Sequence, residues 1–231
     1  MHSKTTTRTA DDVTVQLDVP CTMRDGTVLR ADVYQPRHGD NYPVLLLRIP
    51  YDKRIAQTIV YQHPIWYAKH GYTVVVQDVR GRYTSEGRFD PLRTEAEDGY
   101  DAVQWAASLP RTSGRVGMYG FSYAGATQLL AATQRPPALA CLVPGFTGSD
   151  YYDGWTYKGG ALHHAFIISW VIQLLAIPDA LKQAQGDLAV RLAEQINNFP
   201  GLYWTQPLKD FPLLKRPPCP AGTTEHETGV R

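Results

Sequence analysis

The segment Arg115-Val-Gly-Met-Tyr-Gly-Phe-Ser-Tyr-Ala-Gly125 places Ser122 in a tight turn between an apolar run and a helix-forming run. Residues 116–119 are typical of a buried strand, and residues 124–132 are typical of a helix. So short a connection holds its central residue in a strained backbone conformation and exposes its side chain at the carboxyl end of the strand. The pattern therefore predicts that Ser122 is a nucleophile, with an ordinary Gly/Ser turn as the alternative.

The neighbours of Ser122 have the properties that a reacting serine requires. Gly120 and Gly125 lack Cβ atoms, so the strand and the helix can approach each other closely. The amide of Tyr123 opens the helix, where unpaired N–H groups and the positive end of the helix dipole favour an oxyanion. A base and a group that orients the base are still required for catalysis.

Strand-like and helix-like segments alternate around this turn, which predicts an α/β fold with a mostly parallel sheet and helices on both faces. Ligands bind such sheets at the carboxyl ends of the strands, where Ser122, residues 50–53 and residues 78–81 all fall. The other predicted strands are a half-buried strand at 28–34, after an Asp25-Gly26 hairpin turn, and buried strands at 43–49, 72–77 and 138–143. A helix is predicted at 57–70, broken near Pro64. A second helix is predicted at 95–108, and its apolar face consists of Ala96, Tyr100, Val103 and Ala107.

The composition changes after about Gly148. Aromatic residues and glycines cluster at 151–160, and two helical runs follow near 161–175 and 179–197. We interpret residues 1–148 as the N-terminal part of the α/β domain and residues 149–214 as a helical cap insert over the active-site face. Residues 215–231 are rich in Pro, Gly and Thr without periodicity, which predicts a disordered tail.

Charge and cysteine content exclude several classes of protein. The 231 residues carry a net charge of +1 with no basic stripe, which argues against nucleic acid as a partner. Cys21, Cys141 and Cys219 lie far apart without a metal-ligand spacing, so no metal and no cofactor is expected, and Cys141 is expected in the core. The polar start has no apolar signal-peptide core, and the longest apolar stretch, 161–177, is interrupted by polar side chains. These features predict a cytoplasmic protein that does not bind a membrane.

Five motifs occur in a fixed order: Pro50-Tyr-Asp-Lys53, Gln77-Asp-Val-Arg-Gly-Arg82, Ser85-Glu-Gly87, Gly117-Met-Tyr-Gly-Phe-Ser-Tyr-Ala-Gly125 and Gly159-Gly-Ala-Leu162. Together they resemble the cocaine esterase / Xaa-Pro dipeptidyl-peptidase (S15-like) family of α/β-hydrolases. The resemblance runs from about residue 23 to residue 214. It implies a serine hydrolase that cleaves ester or amide bonds through an acyl-serine intermediate. The expected substrate is a small-molecule ester or a short peptide or amide.

The resemblance also implies roles for single residues. Ser122 matches the nucleophile, and the backbone amide of Tyr123 and the hydroxyl of Tyr51 match the two donors of the oxyanion hole. A phenol O–H can donate to a developing alkoxide, which makes the Tyr51 role chemically reasonable. Trp155 and Trp170 match aromatic residues that line the acyl pocket, with packing inside the helical cap as the alternative. Residues with expected structural rather than catalytic roles are Arg80, Arg82 and Glu86.

The acid and the histidine of the triad follow the cap in this family, in the order Ser, Asp or Glu, His. This sequence is expected to stop at the end of the cap, which would truncate the domain and leave an open sheet edge through which chains could associate. Asp210 and His226 follow Ser122 in the right order but lie in or beside the Pro-rich tail. His163 and His164 lie in the cap, where packing is the alternative to an approach to Ser122.

Three interpretations therefore stay open. The chain is a serine hydrolase known by a truncated or frame-shifted sequence, a pseudo-hydrolase that lacks the triad Asp and His and only binds or associates, or an acyltransferase that uses the same residues. The choice between ester, X-Pro peptide and β-lactam-type substrates also stays open. The Trp-rich cap and Ala124 after Tyr123 favour simple or aromatic esters.

Overall fold

The computed structural model describes residues 5–10, 12–55 and 61–205. Its strands are β1 (Thr6–Ala10), β2 (Val13–Thr22), β3 (Val28–Pro36), β4 (Tyr42–Ile49), β5 (Thr73–Asp78), β6 (Thr112–Phe121), β7 (Leu139–Gly145), β8 (Tyr157–Lys158) and β9 (Ala161–Leu162). Its helices are α1 (Pro64–Lys69), α2 (Glu95–Ala107), α3 (Tyr123–Thr133), α4 (His164–Trp170), a π-helical segment (Val171–Ala176), α5 (Ile177–Lys182), α6 (Gly186–Ile196) and α7 (Phe199–Tyr203).

Seven of the strands form one mixed sheet in the order β1-β2-β3-β5-β4-β6-β7. The strands β5, β4, β6 and β7 run parallel to one another, and β1, β2 and β3 extend the sheet by antiparallel pairing. The hairpin expected at Asp25-Gly26 joins β2 to β3, with Gly26 at a φ of 86°. The α/β fold class predicted from the sequence is confirmed.

Successive side chains of the central strands point to opposite faces of the sheet and pack into two separate hydrophobic cores. Val75 faces the first core, which α2 and α3 cover, whereas Val74 and Val76 face the second core, which contains Ala68 of α1. Helices therefore lie on both faces of the sheet, as expected. The strand β3 is buried on both faces, rather than half-buried as its alternating pattern predicted, because Ala31 and Val33 pack in the first core and Tyr34 packs in the second.

The helix α1 begins at Pro64, which is its first residue, whereas the sequence predicted a break at this proline inside a longer helix. Proline fits the first position of a helix because the N–H that it lacks would have no helical partner there. The His63 side chain caps this end by accepting a hydrogen bond from the amide of Ile65. Residues 56–60 of the predicted helix lie outside the described part of the chain.

The buried face of α2 differs from the apolar stripe that the sequence predicted. Glu95 and Asp98 are buried on it, because the guanidinium groups of Arg48 and Arg80 pair with their carboxylates. The prediction assumed that charged residues of the helix face solvent. It therefore placed the buried face of α2 too far toward Ala96, Tyr100 and Ala107. The buried apolar positions of α2 are Gly99, Ala102, Val103 and Ala106.

The strand β7 forms one edge of the described sheet and pairs only with β6 there. Most of its residues are exposed or half-buried, although the sequence predicted a buried strand. Cys141 is exposed instead of lying in the core, and Val143 is 58% exposed. On its outer side β7 therefore has no strand partner among the described residues.

The part of the chain after residue 148 is mainly helical, as predicted, with β8 and β9 forming a small hairpin at its start. One continuous helix runs from His164 to Lys182, so the break predicted between residues 175 and 179 is absent and the next helix, α6, begins at Gly186. By length and apolar composition it is the one helix of the described chain that could cross a membrane, and 22% of its apolar window is buried. A single such helix is weak evidence, because core helices of globular proteins have the same properties. The predicted cytoplasmic location and lack of membrane binding stay predictions, and the predicted tail 215–231 lies outside the described residues.

The contact between α2 and α3 gives a test of the packing. A Cβ atom at Gly99 would lie 2.5 Å from the Cβ of Ala131. We expect Gly99→Ala to lower the free energy of unfolding by about 1–3 kcal/mol, because overpacking outweighs the better helix propensity of alanine. Gly186→Ala is the control, since its Cβ would meet no atom within 4 Å. Urea denaturation measures both, and a Gly99→Ala protein as stable as wild type would contradict the packing.

Candidate active site

Ser122 connects β6 to α3 with a φ of 58° and a ψ of −119°. Non-glycine residues avoid this region, and one held there costs roughly 1–3 kcal/mol. The amide of Ser122 donates to the carbonyl of Gly145 at 2.9 Å, and its own carbonyl accepts from the amides of Gly125 and Ala126. These bonds fix the strained turn from both sides and leave the hydroxyl outside them.

Two glycines make this turn possible, as the sequence predicted. A Cβ atom at Gly120, which has a φ of 150°, would lie 2.6 Å from the Cβ of Ala124. A Cβ atom at Gly125 would lie 2.8 Å from the side chain of Thr147. Real Cβ atoms do not approach neighbours so closely, so only glycine lets β6, β7 and α3 meet here.

The first residue of α3 is anchored by a buried polar chain that the sequence did not reveal. The Tyr123 hydroxyl donates to the Glu95 carboxylate at 2.9 Å and accepts from the amide of Leu92 at 2.9 Å. Glu95 in turn pairs with Arg48 at 2.9 Å, and Arg48 donates to the Gln77 side chain at 2.9 Å. A signal was present, since Arg48 is the one charge in the apolar run 43–49.

Burial is the main influence on the pKa values of Glu95 and Tyr123 in this hydrogen-bonded chain. It raises the pKa of the Glu95 carboxyl, and the nearby Arg48 opposes that rise. Burial also raises the pKa of the Tyr123 phenol, and the Glu95 charge adds to the effect. Tyr123 therefore keeps its proton and remains a hydrogen-bond donor to Glu95 at any ordinary pH.

Sheet topology brings the loop that carries Tyr51 to the level of Ser122. The strands β4 and β6 are parallel neighbours in which Leu46 pairs with Met118. Four residues further along each strand direction lie Pro50 and Ser122, so the loop after β4 begins at the level of the serine. The Tyr51 ring meets the Tyr123 ring edge-on, with 6.3 Å between centroids. The two residues predicted to supply the oxyanion hole are thus neighbours.

The Tyr51 hydroxyl accepts a hydrogen bond from the indole N–H of Trp170 at 2.9 Å. Burial raises the pKa of the Tyr51 phenol, although the bond from Trp170 opposes this rise. The phenol is therefore protonated at neutral pH and able to donate.

A cavity of about 670 Å³ opens beside Ser122. Trp155 is in its wall, together with the aromatic side chains of Phe146 and Phe166, whereas Trp170 is not among the described residues that line it. Trp170 packs against Trp155, with 6.3 Å between ring centroids, and contacts Tyr51 through its N–H. The remaining lining residues are Ser122, Thr147, Gly148, Ser149, Asp150, Asp153, Gly154 and His163.

His163 lines the cavity, but the structure does not join it to the serine. Across residues 5–10, 12–55 and 61–205, no histidine is hydrogen-bonded to the Ser122 hydroxyl. Asp210 and His226 lie outside those ranges. The same ranges contain no group of three or more His, Cys, Asp or Glu side chains that could hold a metal ion. The predictions of no metal and no cofactor stay predictions.

The three residues expected to be structural form a loop network. Arg80 pairs with Asp98 at 2.5 Å and with Asp25 at 2.7 Å, and Glu86 accepts from the amide of Val28. Arg82 is 1% exposed and donates to backbone carbonyls.

A strained serine between a parallel strand and a helix, at the carboxyl edge of a mixed sheet covered by helices, is the arrangement of an α/β-hydrolase. Residues 25–211 match the family model described as X-Pro dipeptidyl-peptidase (S15 family). The chain therefore belongs to the S15 X-Pro dipeptidyl-peptidase family.

Similar proteins agree with this assignment. Cocaine esterase from Rhodococcus sp. (strain MB1 Bresler) is 35% identical over 210 residues, which cover 87% of this chain and 36% of the relative. An α-amino acid ester hydrolase structure is 30% identical with a TM-score of 0.62, covering 71% of this chain and 30% of that one. A CocE/NonD family hydrolase from Staphylococcus aureus has a TM-score of 0.65 at 23% identity, covers 75% of this chain and 34% of that one, and supports the fold alone. The chain spans about a third of the length of these proteins.

The strain at Ser122 predicts an unusual order of stabilities. Ser122→Gly relieves an unfavourable φ, whereas Ser122→Ala removes the same hydroxyl but keeps the Cβ. We expect Ser122→Gly to be more stable than Ser122→Ala by about 1 kcal/mol, after the entropy that glycine adds to the unfolded chain. Urea denaturation of both variants measures the difference. Greater stability of Ser122→Ala would show that the turn is not strained.

Proposed function

We propose that this protein is a serine hydrolase that cleaves small esters or amides through an acyl-serine intermediate. The observation that carries the proposal is the strained Ser122, which lies at the start of α3 and in the wall of the 670 Å³ cavity. Membership of the S15 family supports hydrolase chemistry. Ser122 Oγ would attack the carbonyl carbon and lose its proton to a base, the leaving alcohol or amine would depart, and water would then release the acid.

The amide of Tyr123 and the hydroxyl of Tyr51 would hold the negative oxygen of the tetrahedral intermediate. The amide opens α3, where the helix dipole favours negative charge. The phenol stays protonated because burial raises its pKa. Both donors are fixed before substrate arrives, one by the helix and one by the bond from Trp170. Preorganised donors of this kind supply a large part of transition-state stabilisation in acyl transfer.

The cavity favours an acyl group with an apolar or aromatic face. Phe146, Trp155 and Phe166 supply aromatic surface. Asp150 lies in the same wall, but its carboxylate accepts from the amides of Tyr152 and Asp153. Simple or aromatic esters are therefore the preferred substrate class, in agreement with the esters named in two relatives.

A second candidate is a protein that binds such molecules without turnover. The observation that favours this candidate is that, among the described residues, no histidine is hydrogen-bonded to Ser122. Without a base, an oxyanion hole and binding alone leave an acceleration of about 10³–10⁴ over water. The exposed edge of β7 would then serve association with another chain, as the sequence predicted.

Turnover of p-nitrophenyl acetate tests the nucleophile and its base together. We expect Ser122→Ala to reduce the rate to the background without protein. If the base is missing, imidazole should accelerate wild type in proportion to its concentration, because it accepts the serine proton. Imidazole without protein is the control for its own reaction. Equal rates for wild type and Ser122→Ala, with and without imidazole, would exclude the hydrolase and leave the binding protein.

The role of Tyr51 predicts a loss in kcat. Removing one oxyanion donor typically lowers kcat by about 10²–10³-fold. We expect Tyr51→Phe to show such a loss with a nearly unchanged KM, since the donor acts on the transition state. Tyr152→Phe, at a side chain that is 65% exposed, is the matched control. A Tyr51→Phe protein with wild-type kcat would remove Tyr51 from the oxyanion hole.

A further inference from the structure

We propose that Trp170 and Arg82 are positioning residues for the Tyr51 hydroxyl, so that docking of the cap helix on the sheet domain sets the second oxyanion donor. The inference rests on the proposed function, because Tyr51 needs a precise orientation only if an oxyanion forms at Ser122. It goes further in giving a kinetic role to the helix α4 and to a buried arginine that makes no contact with the cavity.

The bond between Trp170 and Tyr51 has a fixed direction. An indole N–H is a donor only, so the Tyr51 oxygen must be the acceptor at 2.9 Å. The phenol proton therefore points away from Trp170. Among the residues that the structure describes, the Tyr51 hydroxyl donates to no acceptor. Its proton remains available for an oxygen that arrives with the substrate.

The indole itself packs against neighbouring aromatic rings. Its ring stacks on Phe166, with an interplanar angle of 3° and 6.0 Å between centroids. It also lies 6.4 Å from the ring of Tyr123, the residue that carries the other oxyanion donor. Trp170 thus contacts the tyrosines of both donors, and a shift of α4 would displace the hydrogen bond to Tyr51.

Arg82 connects the two segments that this bond joins. Its Nε donates to the carbonyl of Pro50 at 2.8 Å, directly before Tyr51. Its two terminal nitrogens donate to the carbonyls of Leu175 and Leu174 at 3.0 and 2.9 Å, about one turn after Trp170. One fully buried guanidinium therefore fixes the loop after β4 relative to the cap helix.

The sequence of the cap helix accounts for the availability of one of these two carbonyls. An α-helix would pair the carbonyl of Leu174 with the N–H of residue 178, and Pro178 has none. The helix is also π-helical over residues 171–176, which alters the usual pairing. The planar fork of Arg82 reaches two adjacent carbonyls and a third on the opposite side. A lysine, with one compact charge, could not hold all three in this geometry.

A packing role for Trp170 makes a different kinetic prediction from a positioning role. If Trp170 only shaped the acyl pocket, Trp170→Phe would change KM and the preference between acyl groups. If it orients Tyr51, the loss falls on kcat, because the donor acts only in the transition state. The loss should also disappear once the Tyr51 hydroxyl is gone, since residues that act as a unit are not additive.

The experiment compares the full chain with Trp170→Phe, Tyr51→Phe and the double variant on p-nitrophenyl acetate, with imidazole present at one fixed concentration. We expect Trp170→Phe to lower kcat by about 10–100-fold, less than deletion of the donor itself, with little change in KM. The double variant should be no slower than Tyr51→Phe. Trp204→Phe, at an indole that is 85% exposed, is the matched control. The proposal would be overturned if the fold-loss in kcat of the double variant equals the product of the two single losses. It would also be overturned if Trp170→Phe changes only KM.

Arg82→Lys tests the second positioning residue, with Arg24→Lys as the control at an exposed arginine that also forms a two-pronged pair. We expect Arg82→Lys to lower kcat as Trp170→Phe does. Nuclear magnetic resonance gives a readout apart from turnover. The indole N–H signal of Trp170 should move in Tyr51→Phe, which removes its acceptor, and move in the same direction in Arg82→Lys. An unmoved signal in Tyr51→Phe would refute the bond, and if Arg82→Lys does not fold, Trp170→Phe still decides the proposal.

The two possible failures differ in their results. If the proposed function is wrong, Ser122→Ala equals wild type in every assay, and this inference falls with it. If only the inference is wrong, Ser122→Ala and Tyr51→Phe lose activity while Trp170→Phe behaves as wild type or as a pocket variant.

Discussion

The buried ion pair between Arg48 and Glu95 is the interaction on which the serine edge of the sheet depends. A strained residue persists only where its surroundings determine its conformation, and Ser122 is followed directly by Tyr123, whose hydroxyl is bound to Glu95. The pair is 0% and 3% exposed, so the loss of either partner would leave a buried charge, at a cost of about 3–5 kcal/mol. The strand β4, the start of α2 and the start of α3 are thereby fixed to one another at the point where the chain must turn sharply.

Parallel pairing then determines which loops meet. Because β4 lies between β5 and β6, the loops that follow these strands open on the same edge. Lys53 shows how closely the loops are joined, since its ammonium group binds Asp18, Asp78 and Thr84 from three different segments. The register between β4 and β6 brings Tyr51 to the level of Ser122 without any contact between their side chains being required.

Local patterns predicted this fold well, whereas contacts between distant segments were predicted poorly. The turn at Ser122, the hairpin at Asp25-Gly26 and the central strands carry their signal within a few residues. The buried acids of α2 do not, because their burial depends on arginines elsewhere in the chain. The roles of Tyr51, Trp155 and Trp170 were predicted only through resemblance to a family. Nothing near Trp170 in the sequence indicates its bond to a residue 119 positions away. The exposure of β7 depends on what lies next to it in the sheet, which periodicity cannot show.

The proline in the cap helix has a consequence for how this sequence can change. The carbonyl of Leu174 accepts from the Arg82 guanidinium, and Pro178 has no N–H to offer it. A shorter side chain at position 82 would remove this donor, and Pro178 cannot supply the N–H that residue i+4 of an α-helix gives to such a carbonyl. A substitution at position 82 or 178 alone therefore disturbs this hydrogen bond. Across related sequences we expect the two to covary, although 96 residues separate them and their side chains belong to different parts of the fold.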